Sequence, residues 1–350
     1  MSQTKWSYTK LNASRQCKRK FFFKYMLKTH GRKNPLRRKA FELGKMKNLE
    51  MWQGSVVDQV MTEIVIPAIS EARLLDFDAL AEQAVELAKK QFSYSEKKLY
   101  RLPTPKKKDK TAEQEELEPC ILDVHELNKP VDEVKVLECY NKIGLAILNI
   151  PVIRMPGSNM LLLDFLKASK PLIPNVQSWD FKIEGIRVNP QIDLVGYHNF
   201  QPFVIDWKVS ESLSSDYYKQ LAICGMTVYF KRMAKVESEG KSAYAFEDIK
   251  LYKVNLLKAE VEEYLLTEED VNNIIDDVNL TGGDIEAMED KKWNEVDMAS
   301  LPCTENEVNC RFCNFKSLCS FLYLNNHQYD EKNYLQSVQD IEPAHARLFL

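Results

Sequence analysis

Two aspartates and a lysine stand in a run of short apolar segments, and their types and spacing fit metal-assisted chemistry. Asp193 lies in Gln191-Ile-Asp193-Leu-Val-Gly196, and Asp206 and Lys208 lie in Phe203-Val-Ile-Asp206-Trp207-Lys208-Val. Side chains alternate along a strand, so Asp206 and Lys208 share a face. A carboxylate among apolar neighbours needs a cation, a metal or a set of hydrogen bonds. Asp193, on an adjoining strand, offers a second carboxylate for a Mg²⁺ that keeps some of its waters. Lys208 would then orient or deprotonate an attacking water and stabilise developing charge. Together these groups would hydrolyse a phosphodiester with the help of a metal. The competing reading is an ordinary surface ion pair, since about seven acid-x-base pairs are expected by chance at this composition. The strand context, and Asp193 thirteen residues upstream across a turn, weigh against it.

A second group of residues points to metal of another kind. Eight cysteines are present, and Cys303, Cys310, Cys313 and Cys319 fall within the last fifty residues. The last three are spaced C-x2-C-x5-C, close enough to clasp one ion or cluster edge. A fourth ligand is open. Cys303 is local and would complete a four-thiolate zinc knot. Cys17 is remote, in Ser14-Arg-Gln-Cys17-Lys-Arg-Lys. Its use would tie the two ends of the chain through an iron–sulfur cluster. Spacing alone favours Cys303, because local ligands close a smaller loop. Cys120, Cys139 and Cys224 read as small buried hydrophobes.

The elements that must position these groups follow from periodicity. Apolar residues Val56, Val57, Val60, Met61, Ile64 and Val65 recur at helical spacing within 53–71. Further helices are expected over about 78–99 and 131–149. Residues 101–119 are charged and bounded by prolines, and read as an exposed loop. Nothing in 70–175 looks catalytic, and that stretch reads as a helical insertion. Strand-type runs follow at 178–188, 191–198 and 201–209, split by Asn189-Pro190 and by 199–202. A helix is expected from Ser214 or Ser215, with Asp216 in its first turn, and carries Tyr218, Leu221, Ala222, Met226 and Tyr229 along one side. One more strand covers 248–256. Thr267 opens a helix, with the look of a capping box, that runs to about Asn279.

Length and charge set the outer bounds. The chain has 350 residues, 45% hydrophobic and 28% charged, the balance of a soluble globular protein. No apolar run reaches about 18 residues, so no spanning helix and no membrane association are expected. The segment from Met1 to Lys10 is polar, unlike a secretory signal, and a reducing, cytoplasmic setting is the expectation. Net charge is −3, yet residues 1–47 carry +14, with Glu42 their only acid, and the rest carries −17. The basic arm is interleaved with Trp6, Tyr8, Phe21, Phe22, Phe23 and Tyr25. Such a mixture can track phosphates and stack bases, or the aromatics can be core, as Phe21 to Phe23 are expected to be.

The order of these parts resembles the PD-(D/E)XK nuclease superfamily. The resemblance is to its RecB-like branch with an iron–sulfur cluster, which includes the AddB nuclease domain and CRISPR-associated RecB-like exonucleases. It covers roughly 7–66 and 178–322. Ser7-Tyr-Thr-Lys-Leu11 through Cys17 and Phe22 is similar to the branch's first-cysteine segment. Gly54-Ser-Val-Val-Asp58 stands at its G-x-x-x-H helix motif. Asp193 and Asp206-Trp207-Lys208 stand at its acidic strands, Gln220 at its Q-x-x-x-Y helix, and Cys310, Cys313 and Cys319 at its C-terminal cysteines. Six matches in order are specific where each alone is weak.

The resemblance implies an α/β fold: a restriction-endonuclease-like core, a mixed central sheet flanked by helices, with a helical insertion and a C-terminal Fe–S lobe. The expected organisation is 1–50 as a basic segment carrying the first cluster cysteine, 51–175 as helical region and insertion, 176–260 as nuclease core, and 261–350 as C-terminal helices and cysteines. It implies Mg²⁺ or Mn²⁺ on Asp193, Asp206 and the Trp207 carbonyl, Lys208 on the water, and Gln220 at the substrate. It implies a 4Fe-4S cluster on Cys17, Cys310, Cys313 and Cys319, which displaces Cys303. Two positions depart from the pattern. Asp58 replaces the metal-binding histidine, and Cys224 replaces the motif tyrosine, for which Tyr217, Tyr218 and Tyr229 are candidate substitutes. The implied activity is cleavage of DNA, exonucleolytic on single strands or ends, in repair, recombination or defence. No phosphate-binding G-x-x-x-x-G-K-[ST] motif occurs, so unwinding would belong to a helicase partner. The rivals are a catalytically weak Fe–S DNA-binding subunit of a helicase–nuclease complex and a zinc-knot interaction protein.

Overall fold

A computed structural model describes residues 5–28, 34–101, 120–210, 217–239 and 245–324. The charged loop expected at 101–119 lies, from 102 on, outside the described residues, as does the helix start expected at Ser214 to Asp216. The chain opens with β1 (Lys5–Trp6), α1 (Tyr8–Gln16) and α2 (Lys18–Phe21), which runs on into a π-helical turn, Phe22–Leu27. Next come α3 (Pro35–Lys45), α4 (Leu49–Val60), a second π-helical turn (Met61–Val65) and α5 (Ile66–Ser70), the last three forming the helix expected over 53–71. Then follow α6 (Phe77–Glu96), α7 (Asp123–Glu126), α8 (Glu133–Leu148) and α9 (Leu162–Lys167). The strand-rich part holds β2 (Leu172–Val176), β3 (Phe181–Ile183), β4 (Ile186–Val188), β5 (Ile192–His198) and β6 (Gln201–Lys208). It continues with α10 (Tyr217–Glu239), β7 (Lys250–Asn255), β8 (Glu260–Leu265) and α11 (Glu268–Glu289). The short helices α12 (Glu307–Arg311) and α13 (Lys316–Leu324) carry Cys310 and Cys319, with Cys313 between them.

The central sheet has the order β2-β5-β6-β7-β8. All its pairs are antiparallel except β6 with β7, which are parallel, so the sheet is mixed as expected. Strand alternation sends Phe203, Ile205 and Trp207 of β6 into one core with α4, α6, α8 and α9. Val204 faces the other core, with Leu221, Ala222 and Met226 of α10 and Val271 and Ile274 of α11. Asp206 and Lys208 fall on that second face. A separate small sheet, β1-β4-β3, joins the N-terminal strand to the β3–β4 hairpin.

The run read as one strand over 178–188 is the β3–β4 hairpin, and three further elements differ from the sequence reading. β2 falls at the end of 70–175, the stretch read as a helical insertion, and its Pro174 hides it as a strand; on an edge strand a proline costs no ladder bond. β8, Glu-Val-Glu-Glu-Tyr-Leu, is too acidic to read as a strand, and its charge suits an exposed edge. Its Glu263 pairs with Lys250 at 2.8 Å and its Glu262 with Lys253 at 2.8 Å. The capping box of Thr267 with Asp270 is present, but α11 runs to Glu289 rather than ending near Asn279. Gly282 keeps α11 close to β4: a Cβ there would sit 2.3 Å from Ile186 Cδ1.

The basic arm is built into the fold. Trp6, Leu11, Phe21, Phe22, Phe23 and Leu27 are all buried. Its cations meet the acidic α11, with Lys10 on Glu289 at 2.7 Å and Arg15 on Asp277 at 2.9 Å. Part of the opposed charge of the two chain regions is thus neutralised within the molecule. Among the described residues no helix is long and apolar enough to cross a membrane.

Candidate functional site

The β5–β6 register pairs Leu194 with Ile205, which sets Asp193 across from Asp206 one step further on. The Trp207 backbone N–H donates to Asp193 Oδ2 at 3.0 Å and fixes that carboxylate to the neighbouring strand. Asp206 forms an ion pair with Lys208 on its own strand. On the other side the parallel β7 places Lys253 beside Asp206. The helix α4 brings Asp58 to the same place. It is held there by Gln53, whose amide donates to the Val209 carbonyl at 2.9 Å at the end of β6.

Asp58, Asp193, Asp206, Trp207, Lys208 and Gln220 line one cleft of about 1030 Å³. Every residue that the sequence reading assigned to the metal and substrate site is therefore on its wall. Burial and mutual repulsion dominate the electrostatics. Burial, then Asp206 and Asp58, push the Asp193 carboxyl up to about 7. Burial raises Asp206 as well, against the pull of Lys208 and Lys253. Asp58 is raised by burial and then by Asp206. Burial works against the Lys208 ammonium, but Asp206, Asp193 and Tyr217 outweigh it and keep the lysine charged.

Three carboxylates crowd one part-buried place, where Lys208 is the close cation and Lys253 is shared with Glu262, and such a cluster suits a divalent cation. Among the described residues, no group of three or more His, Cys, Asp or Glu side chains is arranged to hold a metal ion. Mg²⁺ does not need such a group. Two carboxylates and a carbonyl leave the rest of its octahedron to water. The donor set therefore fits Mg²⁺ or Mn²⁺.

Two residues that shape the site were not singled out by the sequence. Gln53 gave no signal at all. Tyr217 was one of three candidates for the missing motif tyrosine, and of the three it is the one that reaches the cleft, with the Lys208 ammonium 4.8 Å from its ring centre. Tyr218 instead donates to the Leu265 carbonyl at 2.8 Å, and Tyr229 packs on Phe246. Cys224 is buried beside the acids, its thiol 3.8 Å from the Gln191 carbonyl, and burial followed by Asp206 and Asp193 holds it protonated.

The cysteines meet at a second cavity of about 460 Å³, lined by Cys17, Cys303, Cys310, Cys313 and Cys319 together with Arg19 and Phe315. Both ends of the chain thus reach it, and both candidates for the fourth ligand are on its wall. All eight cysteines are free thiols. Burial pushes Cys319 up to about 11, against the hydrogen bond from Arg19, whose guanidinium lies 3.7 Å from the sulfur. Arg19 also donates to the Leu301 carbonyl at 2.8 Å and so ties the arm to the segment before Cys303. Cys120 and Cys139 are buried, as read from the sequence.

No curated protein matches this chain. The family model of the PD-(D/E)XK nuclease superfamily matches residues 5–320, a span that takes in both the cleft and the cysteines.

Proposed function

The chain belongs to the PD-(D/E)XK nuclease superfamily, and from that premise we propose that its cleft hydrolyses phosphodiester bonds of DNA with Mg²⁺ or Mn²⁺. The observation that carries this reading is the meeting of Asp193, Asp206 and Lys208 on one face of β5 and β6, inside the same cleft as Asp58 and Gln220. Asp193, Asp206 and the Trp207 carbonyl would hold the metal, with Asp58 adding charge in place of the family's histidine. The metal, when bound, supplies Lewis-acid polarisation of the phosphoryl oxygen and a more acidic water.

The chain's own groups do the rest. Lys208 keeps its proton, so it holds a water or a phosphoryl oxygen as a donor and offsets charge that develops there. Tyr217 holds that ammonium over its face. Gln220, on α10, meets the substrate at the cleft wall. We read the substrate as a single strand or an end, and the action as exonucleolytic, from the family resemblance. We read the second cavity as the seat of a 4Fe-4S cluster on Cys17, Cys310, Cys313 and Cys319, a scaffold that joins the two chain ends. A helicase partner, a cytoplasmic setting and a place in repair, recombination or defence rest on the family resemblance alone.

The test is direct. Purified protein should degrade end-labelled single-stranded DNA with Mg²⁺ or Mn²⁺ and stop in excess EDTA. Undiminished degradation in EDTA would overturn the reading.

A further inference from the structure

The catalytic cleft does not end at Gln220. A second, smaller cavity of about 270 Å³ shares Tyr8, Thr9, Tyr217 and Gln220 with it and continues along Asn12 and Gln16 to Lys20 and Lys24. Lys20 also lines the cysteine cavity. We propose that a single polynucleotide strand follows this groove, its bases against Tyr8 and Tyr217 and its phosphates over Lys20 and Lys24. The proposal rests on the nuclease reading of the cleft and adds the path by which the strand reaches it.

The groove has the chemistry for that ligand. Thr9, Asn12 and Gln16 offer hydroxyl and amide groups along one side of α1. Two tyrosine rings stand where the two cavities join, and aromatic faces stack any base without reading sequence. Lys20 of α2 and Lys24 of its π-helical extension line the groove, and Lys28, one residue past that turn, continues the spacing of four. They are close enough that Lys20 depresses Lys24, and Lys24 together with Lys45 depresses Lys28, after burial itself. The Lys28 ammonium falls to about 8.

Their partners are not acids. Lys20 donates to Gln16 Oε1 at 2.8 Å, and Lys24 lies 5.4 Å from the Tyr25 ring centre. The neighbouring acids Glu289 and Asp277 are taken by Lys10, Arg15 and Lys219. Among the described residues no carboxylate pairs with Lys20, Lys24 or Lys28. Crowded cations with no carboxylate partner among the described residues, beside a phosphodiesterase cleft, are matched by the phosphates of the strand being cut.

The experiment measures binding in EDTA, where nothing turns over. A fluorescent oligothymidylate is titrated with wild-type protein, with Lys20→Gln/Lys24→Gln, and with Lys90→Gln, an exposed α6 position outside both cavities. The double variant should bind about tenfold more weakly. Its log–log salt slope should fall by about 1.4, since each single-strand phosphate contact contributes about 0.7. Lys90→Gln should bind as wild type. Circular dichroism checks the fold of the double variant. Photocrosslinking of an iodouracil-substituted strand to unmodified protein gives an independent reading, with adducts expected on Tyr8 or Tyr217. Unchanged affinity and slope in a folded double variant, or adducts only at other residues, would overturn the path. So would a wild-type protein that fails to bind the strand, or one that holds a blunt duplex equally well. Protein that cleaves DNA but shows either of the first two results keeps the nuclease and loses the path. Protein that binds as expected but never cleaves keeps the path and loses the nuclease.

Discussion

At the scale of single residues, the site is a place where charge is stored against its own preference. Asp193 has a carboxyl at about 7, against an ordinary 3.8, because burial, Asp206 and Asp58 all oppose its ionisation. Below about pH 4 both folded and unfolded chains hold that proton. Between about 4 and 7 the folded chain keeps it and the unfolded chain does not, so metal-free stability is lost as pH rises through that window. Asp193→Asn removes the titration and should flatten this part of the profile in EDTA, with a higher thermal midpoint than wild type at pH 8. Overlapping profiles would contradict the crowding of carboxylates. Asp193, Asp206 and Lys208 were legible in the sequence because strand alternation alone puts Asp206 and Lys208 on one face. Gln53 was not, because its role is a hydrogen bond to Val209 that only the packing of α4 on β6 creates. Tyr217 could be named as a candidate, but its choice over Tyr218 and Tyr229 depends on which way the first turn of α10 faces.

At the scale of elements, position depends on close packing at a few points. Gly196 in β5 is one of them. A Cβ there would sit 2.3 Å from Phe203 Cζ and 2.9 Å from Leu172 Cδ2. The Phe203 ring cannot swing away, since Phe165 packs on it at 4.8 Å between centroids and Tyr252 lies behind. Gly196→Ala should therefore destabilise by about 1–3 kcal/mol in urea unfolding. At Gly283, in α11, a Cβ would meet nothing within 4 Å, and Gly283→Ala should be neutral or gain up to about 1 kcal/mol. Equal effects of the two would contradict the packing described for β2, β5 and β6. The strands β5, β6 and β7 were readable as short apolar runs, the first two bounded by turn residues. The edges β2 and β8 were not, because an edge strand is allowed the prolines and glutamates that disguise it.

At the scale of the whole molecule, the two ends of the chain converge. Cys17 and the C-terminal cysteines line one cavity, and Arg19 bonds to Leu301. Sequence spacing by itself favoured Cys303 as the fourth ligand, since a closed loop of about three hundred residues cannot be judged without the fold. The cavity holds both residues, so the ligand set needs a chemical test. On the proposed cluster, wild-type protein should carry iron and acid-labile sulfide after anaerobic purification, and Cys17→Ser should lose both and be poorly soluble. Cys303→Ser should keep both. The opposite pattern would place the ligand at Cys303 and detach the N-terminal arm from the cluster.

On the proposed function, Asp206 and Lys208 are both needed to cut a phosphodiester with a divalent metal. The most direct measurement of this need compares wild type, Asp206→Ala and Lys208→Ala, each checked for fold, on one end-labelled single strand with Mg²⁺ or Mn²⁺. Wild type should cleave, and each substitution should lower the rate by at least about a hundredfold, the size expected when a charge-stabilising group is removed. Cleavage by either folded variant at the wild-type rate would contradict it.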